Sequence, residues 1–241
     1  MAVNDNRRRK KIEAKRAKKK DKQRSIARFE SGGLAAKMAS ANSWPIVDSL
    51  ISPGWERAGM CTVCISRRGH HGEMAAVMFV VDVKCLGVKD VIAYFGTEGE
   101  WSLQLRERRN RGMELERESP EYLRKLVEGS VQFARKFGFE PHPDYARATP
   151  IFGDIDATSC STEITYGENG KPHYINGPFD NSQRIRRILE LLERNAGPGN
   201  FNYTMMGGVI DDMIEIDEDD LEDDEDVESL ADVPRSIEHN P

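Results

Sequence analysis

Long hydrophobic runs are missing from this 241-residue chain. No segment approaches the roughly 20 consecutive apolar residues that a membrane helix needs, so we predict no interaction with a membrane. No apolar stretch follows the basic N-terminal residues, which argues against a secretory signal. Cysteine is also scarce, with four in the chain. Without a signal, so few cysteines are typical of free thiols in a reducing compartment, and we expect a cytoplasmic protein.

Sequence motifs that would identify a particular enzymatic reaction are absent as well. The sequence contains no glycine-rich phosphate-binding loop, no dinucleotide-binding fingerprint, no Gly-x-Ser-x-Gly motif and no His-Glu-x-x-His motif. We therefore predict no cofactor. The motifs leave open whether the protein is an enzyme.

Charge is distributed unevenly along the chain. Residues 1–28 contain 13 Lys and Arg against 3 Asp and Glu, whereas residues 211–232 contain 14 Asp and Glu and no Lys or Arg. The residues between them are close to neutral, with 21 basic and 23 acidic side chains over 29–210. Blocks of like charge repel one another and stay solvated. We predict three parts: a basic disordered arm and hinge over 1–33, a single domain over 34–208, and an acidic disordered tail over 209–241.

The basic arm points most directly to a partner. Residues 7–24 contain one aliphatic side chain larger than alanine, Ile12, so a helix there has almost nothing to bury on its own. Phosphates of RNA, DNA or the ribosome would relieve the repulsion between its charges. The predicted nucleic-acid-binding residues are Arg7, Arg8, Arg9, Lys10, Lys11, Lys15, Arg16, Lys18, Lys19 and Lys20. The alternative is a solvated tail that aids solubility or contacts the chain's own acidic tail.

The acidic tail is also open to either a binding role or a solubilising role. Residues 211–232 are too highly charged to fold alone. They bind a basic protein partner, compete for the basic arm, or only keep the chain soluble.

The central domain is predicted to have an α+β fold, with a mainly antiparallel sheet built from two hairpins and two or three packed helices. Residues 58–67 and 74–83 have strand composition and flank a loop with two glycines, which predicts the first hairpin. The second of these strands is apolar on both faces, which is typical of a central strand. The second hairpin is predicted over 162–176, where Asn169-Gly170 is a strong turn signal.

Helix signals and further strand signals complete this fold prediction. Ser119-Pro120 opens the clearest helix, which an apolar stripe continues to Phe137. Asp180 is predicted to cap a second helix. The remaining predicted elements are a short helix over 44–51, a strand over 100–106 in which Trp101, Leu103 and Leu105 alternate, and a last strand over 201–205.

Residues 82–90 are the most unusual segment of the domain, because charged residues, a thiol and a glycine follow directly on an apolar strand. Loops that leave rigid strands are common positions for functional side chains. The weak catalytic candidates here are Asp82, Lys84, Cys85, Lys89 and Asp90. The structural alternative is a polar turn in which Gly87 adopts a positive φ.

Two cysteines spaced as Cys61-x-x-Cys64 resemble half of a zinc site. Residues three apart on a strand point to opposite faces, so we expect these thiols to diverge and to behave as buried apolar groups. His70 and His71 lie in the predicted hairpin loop and are expected to be solvated. We predict no metal site at this position.

A third group lies after the clearest helix, where His142 and Asp144 are further weak catalytic candidates. With Asp154 and Asp156 they place an imidazole and three carboxylates within 15 residues, a set suited to a divalent cation. If Asp82 and Asp90 join them, a metal-dependent hydrolase becomes possible. The alternative is that each carboxylate caps a turn.

Three segments resemble a family of uncharacterised bacterial proteins. They are residues 81–90 (Val-Asp-x-x-Cys-Leu-Gly-Val-Lys-Asp), residues 129–144 (Gly-x-x-x-Phe-Ala-x-x-Phe-Gly-Phe-x-Pro-His-x-Asp) and residues 170–178 (Gly-Lys-Pro-x-x-x-Asn-Gly-Pro). The resemblance covers residues 43–204 and implies a family fold and a bacterial origin. It implies no activity, cofactor or catalytic residue.

The sequence therefore favours a protein that contacts nucleic acid or the ribosome through its basic arm. One alternative is a metal-dependent hydrolase that uses loop carboxylates. Another is a protein–protein interaction module, for which an exposed apolar patch would be expected.

Overall fold

The apolar and β-branched segments of the chain assemble into one antiparallel sheet. The structure, a computed structural model, describes residues 33–206. The strands of the sheet are β1 (Ile46–Ile51), β2 (Met60–Arg68), β3 (Glu73–Asp82), β4 (Gly87–Thr97) and β5 (Glu116–Arg117). They lie in the order β4-β3-β2-β1-β5, and neighbouring strands are antiparallel. The predicted α+β class with a mainly antiparallel sheet is confirmed.

The other elements of the domain are helices and a second, two-stranded sheet. The α-helices of the described residues are α1 (Leu34–Ala41), α2 (Trp55–Ala58), α3 (Glu98–Asn110), α4 (Pro120–Arg135), α5 (Tyr145–Ala148) and α6 (Ser182–Ala196). Two short 3₁₀ helices follow α5, over Thr149–Phe152 and Ala157–Ser159. A small parallel pair is formed by β6 (His173–Ile175) and β7 (Asn202–Thr204).

Both faces of the sheet bury apolar side chains, because alternate residues of a strand point to opposite sides. The larger core contains Val63, Ile65, Val77 and Phe79 of the sheet with side chains of α1 and α4. The opposite face packs on Trp101 of α3 and includes Cys64, Met74, Ala76 and Met78. β3 lies between β2 and β4 and is buried on both faces, as its continuous apolar run predicts.

The clearest local signals of the sequence are confirmed. The β2–β3 hairpin forms in the predicted place, with Val63 opposite Phe79 at its centre. α4 begins where predicted, and the Ser119 hydroxyl accepts a hydrogen bond of 3.1 Å from the backbone N–H of Tyr122. Such a cap satisfies one of the free N–H groups of a first helical turn.

The short helix predicted over 44–51 is wrong, because residues 46–51 form β1. This segment is rich in β-branched residues and pairs with β2 on one side and β5 on the other. A helix of two turns is marginal on its own, and the cross-strand hydrogen bonds outweigh its weak propensity.

The strand predicted over 100–106 is also wrong, because these residues belong to α3. Thr97 and Glu100 form a capping box, in which each side chain accepts a hydrogen bond from the other residue's backbone N–H. The alternation of apolar residues misled the prediction. Trp101 is buried, but Leu103 is 52% exposed on the outer side of the helix.

The second predicted hairpin is replaced by a turn alone. Glu168 and Lys171 exchange backbone hydrogen bonds of 2.7 and 3.1 Å around Asn169-Gly170, and both central residues have positive φ. The residues before the turn do not form a strand, because α4 holds them: Lys125 Nζ donates to the Thr162 carbonyl and Tyr166 Oη to the Lys125 carbonyl. β6 pairs with β7 instead, which confirms the last predicted strand.

Two further details differ from the sequence prediction. The cap of α6 is Asn181, whose side-chain oxygen accepts from the Arg184 N–H at 2.8 Å, rather than Asp180. β4 was not predicted as a strand, although its eleven residues make it the longest of the sheet. The predictions for the basic arm and the acidic tail lie outside the described residues, apart from Gly33 at the end of the predicted hinge.

Candidate functional site

The turn between β3 and β4 contains the first group of predicted catalytic candidates. The Asp82 carboxylate is buried and accepts hydrogen bonds from the backbone N–H groups of Lys84 and Cys85, at 2.9 and 3.0 Å. Burial raises the pKa of Asp82, against the opposing effects of these hydrogen bonds and of nearby Lys89. Its oxygen therefore organises the turn, as an Asx turn does.

Gly87 completes this turn and is required for it. Its φ is +70°, a conformation that side chains with a Cβ rarely adopt. A Cβ at this position would also lie 3.0 Å from the Ala134 Cβ and 3.2 Å from the Ser130 carbonyl of α4. The turn packs directly on α4, and the predicted positive φ is confirmed.

Cys85 is unsuited to act as a nucleophile where it lies. Its side chain is fully buried, and burial together with the negative charge of Asp82 raises its pKa. Because the thiolate is the reactive form, a thiol with a raised pKa is inert. Cys85 is thus a small apolar group of the core.

Lys84 stabilises the turn from outside. Its Nζ donates to the Arg57 carbonyl at 3.3 Å. Its aliphatic chain covers Gly59, where an added Cβ would lie 2.5 Å from Lys84 Cδ. This use of the methylene chain as packing surface is common for lysine.

Lys89 is the extra residue of a β-bulge, because Val80 pairs with Asp90 while Val81 pairs with Val88. Bulges change the direction of a side chain. The Lys89 Nζ lies near Gly177, 3.8 Å from where a Cβ of that residue would be. The residues 81–90 and 170–178, which the sequence singles out separately, therefore meet in space.

The second of these segments is held by a buried carboxylate. Asp180 Oδ2 accepts from the Gly177 N–H at 2.7 Å and from the buried Tyr174 hydroxyl at 3.0 Å, and Asp180 Oδ1 pairs with Arg184 at 3.0 Å. The backbone also connects the segments, since the His173 N–H donates to the Lys84 carbonyl at 3.0 Å. Burial raises the pKa of Tyr174, so its hydroxyl is a poor proton-transfer group near neutral pH.

His142 and Asp90 lie close together, but Asp144 points elsewhere. His142 Nε2 is 3.8 Å from Asp90 Oδ1, and the His142 N–H donates to the Val88 carbonyl. His142 Nδ1 accepts from the Asp144 backbone N–H at 3.2 Å, whereas the Asp144 carboxylate pairs with Arg147 at 3.0 Å. The carboxylate of Asp144 is therefore directed to its own helix turn.

The remaining loop carboxylates also act locally. Asp156 caps the second 3₁₀ helix by accepting from the Thr158 N–H and hydroxyl, which holds its pKa below the ordinary value. Asp154 is exposed and pairs with Arg67 at 3.4 Å. In residues 33–206, no three His, Cys, Asp or Glu side chains form a group that could hold a metal ion. The convergence that a metal-dependent hydrolase requires is not found among the described residues.

The expected divergence of Cys61 and Cys64 is confirmed. Cys61 lies in the larger core and Cys64 in the core of the opposite sheet face. Burial raises the pKa of Cys61 to about 12. His70 and His71 lie in the β2–β3 connection, as predicted.

Sequence reasoning missed the role of Arg67, whose side chain is 3% exposed. Its guanidinium donates to the carbonyls of Trp44, Ile151 and Phe152 at 2.6 to 2.7 Å. Burial lowers its pKa, with Asp154 acting in the opposite direction. The sequence signal for this role is weak: Arg67 is a charged residue at the end of an apolar strand, and charged residues at such positions are usually solvated.

A shallow cavity of about 550 Å³ lies beside α4 and α5. Its lining includes Arg124, Glu128, Arg135 and Tyr145. Arg124 donates to Glu128 at 2.8 Å and to the Ile155 carbonyl at 2.6 Å, and Arg135 pairs with Glu140 outside the lining. The arginines are therefore already engaged within the domain.

No known protein family, curated protein or solved structure matches this chain. The resemblance of residues 81–90 to uncharacterised bacterial proteins stays a prediction. Among the described helices, none has the length and apolar character to cross a bilayer.

Proposed function

We propose that this protein binds nucleic acid and that residues 7–24 make the contact with phosphate. The observation that carries the proposal is the excess of basic residues at the N-terminus, 13 against 3 acidic ones over residues 1–28. Cations at this density release counterions from a nucleic acid when they bind, which is a large favourable term at moderate salt. The contact is to the backbone and is expected to show little sequence preference.

The organisation of the domain supports this proposal. Three of its catalytic candidates are already engaged within the domain: Asp82 binds two backbone N–H groups, Cys85 is in the core, and Asp144 pairs with Arg147. Such a domain suits the role of a stable body that carries a binding segment. The near balance of charge over residues 29–210 also leaves the arm as the main basic feature of the chain.

The experiment measures the dissociation constant for labelled RNA and DNA oligonucleotides by fluorescence anisotropy over a series of KCl concentrations. It compares the full chain with a variant lacking residues 1–28. If about ten basic residues contact phosphate, the slope of log K against log salt is roughly −7 for single strands and −9 for duplex. The deletion is expected to remove most binding and most of this slope.

The matched control removes two charges from the domain instead of the arm. Arg186 and Arg187 are exposed on α6, and the double variant Arg186→Gln, Arg187→Gln is expected to bind as the full chain does. An unchanged affinity and salt slope after deletion of residues 1–28 would refute the proposal. A larger loss in the α6 variant than in the deletion would move the contact to the domain.

A further inference from the structure

A carboxylate, an imidazole and a hydroxyl are in contact, in that order, beside the small parallel sheet. Glu168 Oε2 lies 2.9 Å from His173 Nδ1, and the other ring nitrogen, His173 Nε2, lies 2.9 Å from Thr204 Oγ1. This order of contacts is the one that activates a hydroxyl as a nucleophile, because the imidazole can take the proton of the hydroxyl while the carboxylate orients the ring.

Strand pairing brings the imidazole and the hydroxyl together. His173 is the first residue of β6, and its N–H donates to the Lys84 carbonyl at 3.0 Å. Thr204 is the last residue of β7 and pairs with Ile175. Paired residues share a face of a sheet, and Ile175 lies two positions after His173, so Thr204 and His173 lie on the same face. The contact joins residues that are 31 positions apart in sequence.

The carboxylate is held by the loop before β7. Asn202 Nδ2 donates to Glu168 Oε2 at 3.3 Å. The His173 side chain is 12% exposed, and its Nδ1 is buried, with Glu168 Oε2 lying outside the direction of a ring N–H bond. The Glu168 side chain is 44% exposed and has room to rotate toward Nδ1. Hydrogen bonds of this kind are often poorly aligned until a substrate is bound.

The threonine is the accessible member of the group. Thr204 is exposed, and among the described strands β7 pairs with β6 alone. Met206 follows two residues later and is 66% exposed, which places apolar surface within reach of an acyl chain. A substrate can therefore approach Thr204 while the imidazole beside it stays largely covered from water.

We propose that Thr204, His173 and Glu168 form a catalytic site for the hydrolysis of carboxylic esters. Thr204 Oγ1 is the nucleophile, and His173 acts first as general base and then as general acid. Glu168 is a positioning residue that favours the tautomer with its proton on Nδ1, which leaves Nε2 free to accept the proton of Thr204. This site is independent of the nucleic-acid contact proposed for residues 7–24.

The reaction takes two steps. In the first, Thr204 Oγ1 forms a bond with the acyl carbon, its proton passes to His173 Nε2, and the bond to the ester oxygen breaks as the leaving alcohol takes that proton. In the second, water attacks the acyl-threonine, and His173 accepts a proton from the water and returns it to Oγ1. The products are a carboxylic acid and an alcohol, and water is the only co-reactant. Esters are the proposed class because an ester oxygen leaves more readily than an amide nitrogen.

The first experiment tests Thr204 as the nucleophile in the full chain. It follows p-nitrophenolate release from p-nitrophenyl acetate and maps the peptide that a fluorophosphonate probe modifies. We expect the adduct on Thr204. Thr204→Val is expected to lower the hydrolysis rate by at least about a hundredfold, and Thr204→Ser, which keeps a hydroxyl, is expected to retain activity. The matched control is Thr165→Val, because Thr165 is also exposed.

The second experiment tests His173 as the base. His173→Gln is expected to lower the hydrolysis rate by about a hundredfold. His70→Gln is the matched control, since His70 is exposed in the β2–β3 connection and its imidazole can react with the ester only on its own. Cys160→Ser is a second control, because Cys160 is a partly accessible thiol. Circular dichroism checks that each variant is folded, and Thr204→Val, at an exposed position, keeps the test decisive if His173→Gln does not fold.

The third experiment tests Glu168 as a positioning residue. Nitrogen NMR of the labelled histidine ring distinguishes the protonated nitrogen from the unprotonated one. In the wild-type chain we expect the proton of the neutral ring on Nδ1. Glu168→Gln is expected to shift the population toward the tautomer with its proton on Nε2 and to slow ester hydrolysis. A purely structural role of Glu168 would change stability without changing the tautomer.

Three outcomes would overturn this proposal. The first is an absence of any adduct on Thr204 with both probes. The second is an equal hydrolysis rate for Thr204→Val and Thr165→Val when both are folded. The third is a wild-type His173 ring with its proton on Nε2, because that nitrogen then cannot accept the proton of Thr204. The three side chains would in that case only hold β7 against β6.

Discussion

Arg67 shows how much a single side chain contributes to the position of the loops. Its guanidinium binds the carbonyl of Trp44, which lies just before β1, and the carbonyls of Ile151 and Phe152 in the first 3₁₀ helix. Buried carbonyls need hydrogen-bond donors, and the planar fork of arginine supplies them to Ile151 and Phe152 at once. One residue thus fixes two connections that are far apart in sequence.

We predict that Arg67→Lys lowers the free energy of unfolding by about 2–4 kcal/mol, because one ammonium cannot reach three carbonyls in this geometry. Arg68→Lys is the matched control. Arg68 is half exposed in an ion pair with Glu98, and we expect a loss of about 0–1 kcal/mol. Urea unfolding measures both values, and similar losses would contradict a special role for the buried arginine.

At the level of elements, the candidate segments are best understood as connections. The turn after Asp82 and the turn before Asp180 are each organised by a carboxylate that accepts backbone N–H groups, and the two meet through the His173–Lys84 hydrogen bond. The sequence indicated that these segments are special. It did not show that they contact each other, because a contact between residues some 90 positions apart leaves no local pattern.

Helix α3 is the element for which local and periodic signals disagree. The capping box of Thr97 and Glu100 predicts a helix, whereas the alternation of Trp101, Leu103 and Leu105 predicts a strand. The segment is a helix, in which Trp101 is fully buried and Leu105, four residues later, packs partly buried against the same core. Short alternations are therefore weaker evidence than a complete cap.

We predict that Thr97→Ala lowers the free energy of unfolding by about 0.5–2 kcal/mol, because the N–H of Glu100 loses its acceptor. Ser102→Ala lies in the same helix and is the control. Its hydroxyl bonds the Glu98 carbonyl within the helix, so its loss changes stability by less than about 0.5 kcal/mol. Thermal unfolding monitored by circular dichroism compares them, and an equally mild effect of Thr97→Ala would contradict the role of the cap.

At the level of the whole molecule, the acidic block near the C-terminus can compete with any polyanion for the basic block near the N-terminus. Residues 211–232 have 14 acidic side chains and residues 1–28 have 13 basic ones, so the acidic block is a competitor for whatever the basic block binds. Charges interact over about 8 Å at physiological ionic strength, so the competition operates only where the two segments meet. Under the proposed function, a nucleic acid would have to displace any such contact before it binds.

We predict that deletion of residues 211–232 strengthens nucleic-acid binding, with the largest gain at low salt, where screening is weakest. A variant of the same length, with the acidic side chains replaced by Asn and Gln, separates charge from chain length and is expected to bind like the deletion. Anisotropy titrations at two salt concentrations measure the change. Weaker binding without the acidic block would show that it supports the contact instead of opposing it.

The sequence by itself determined the features that depend on neighbouring residues: the β2–β3 hairpin, the capped helix α4, the Asn169-Gly170 turn, and the separation of charged ends from a nearly neutral domain. These follow from local propensity, capping and charge density, which are properties of short segments. Tertiary structure decided that residues 46–51 form a strand, that Arg67 is buried, and that the Asp144 and Asp156 carboxylates each act in their own turn. Strand partners and desolvation decide these outcomes, and both depend on residues that are distant along the chain.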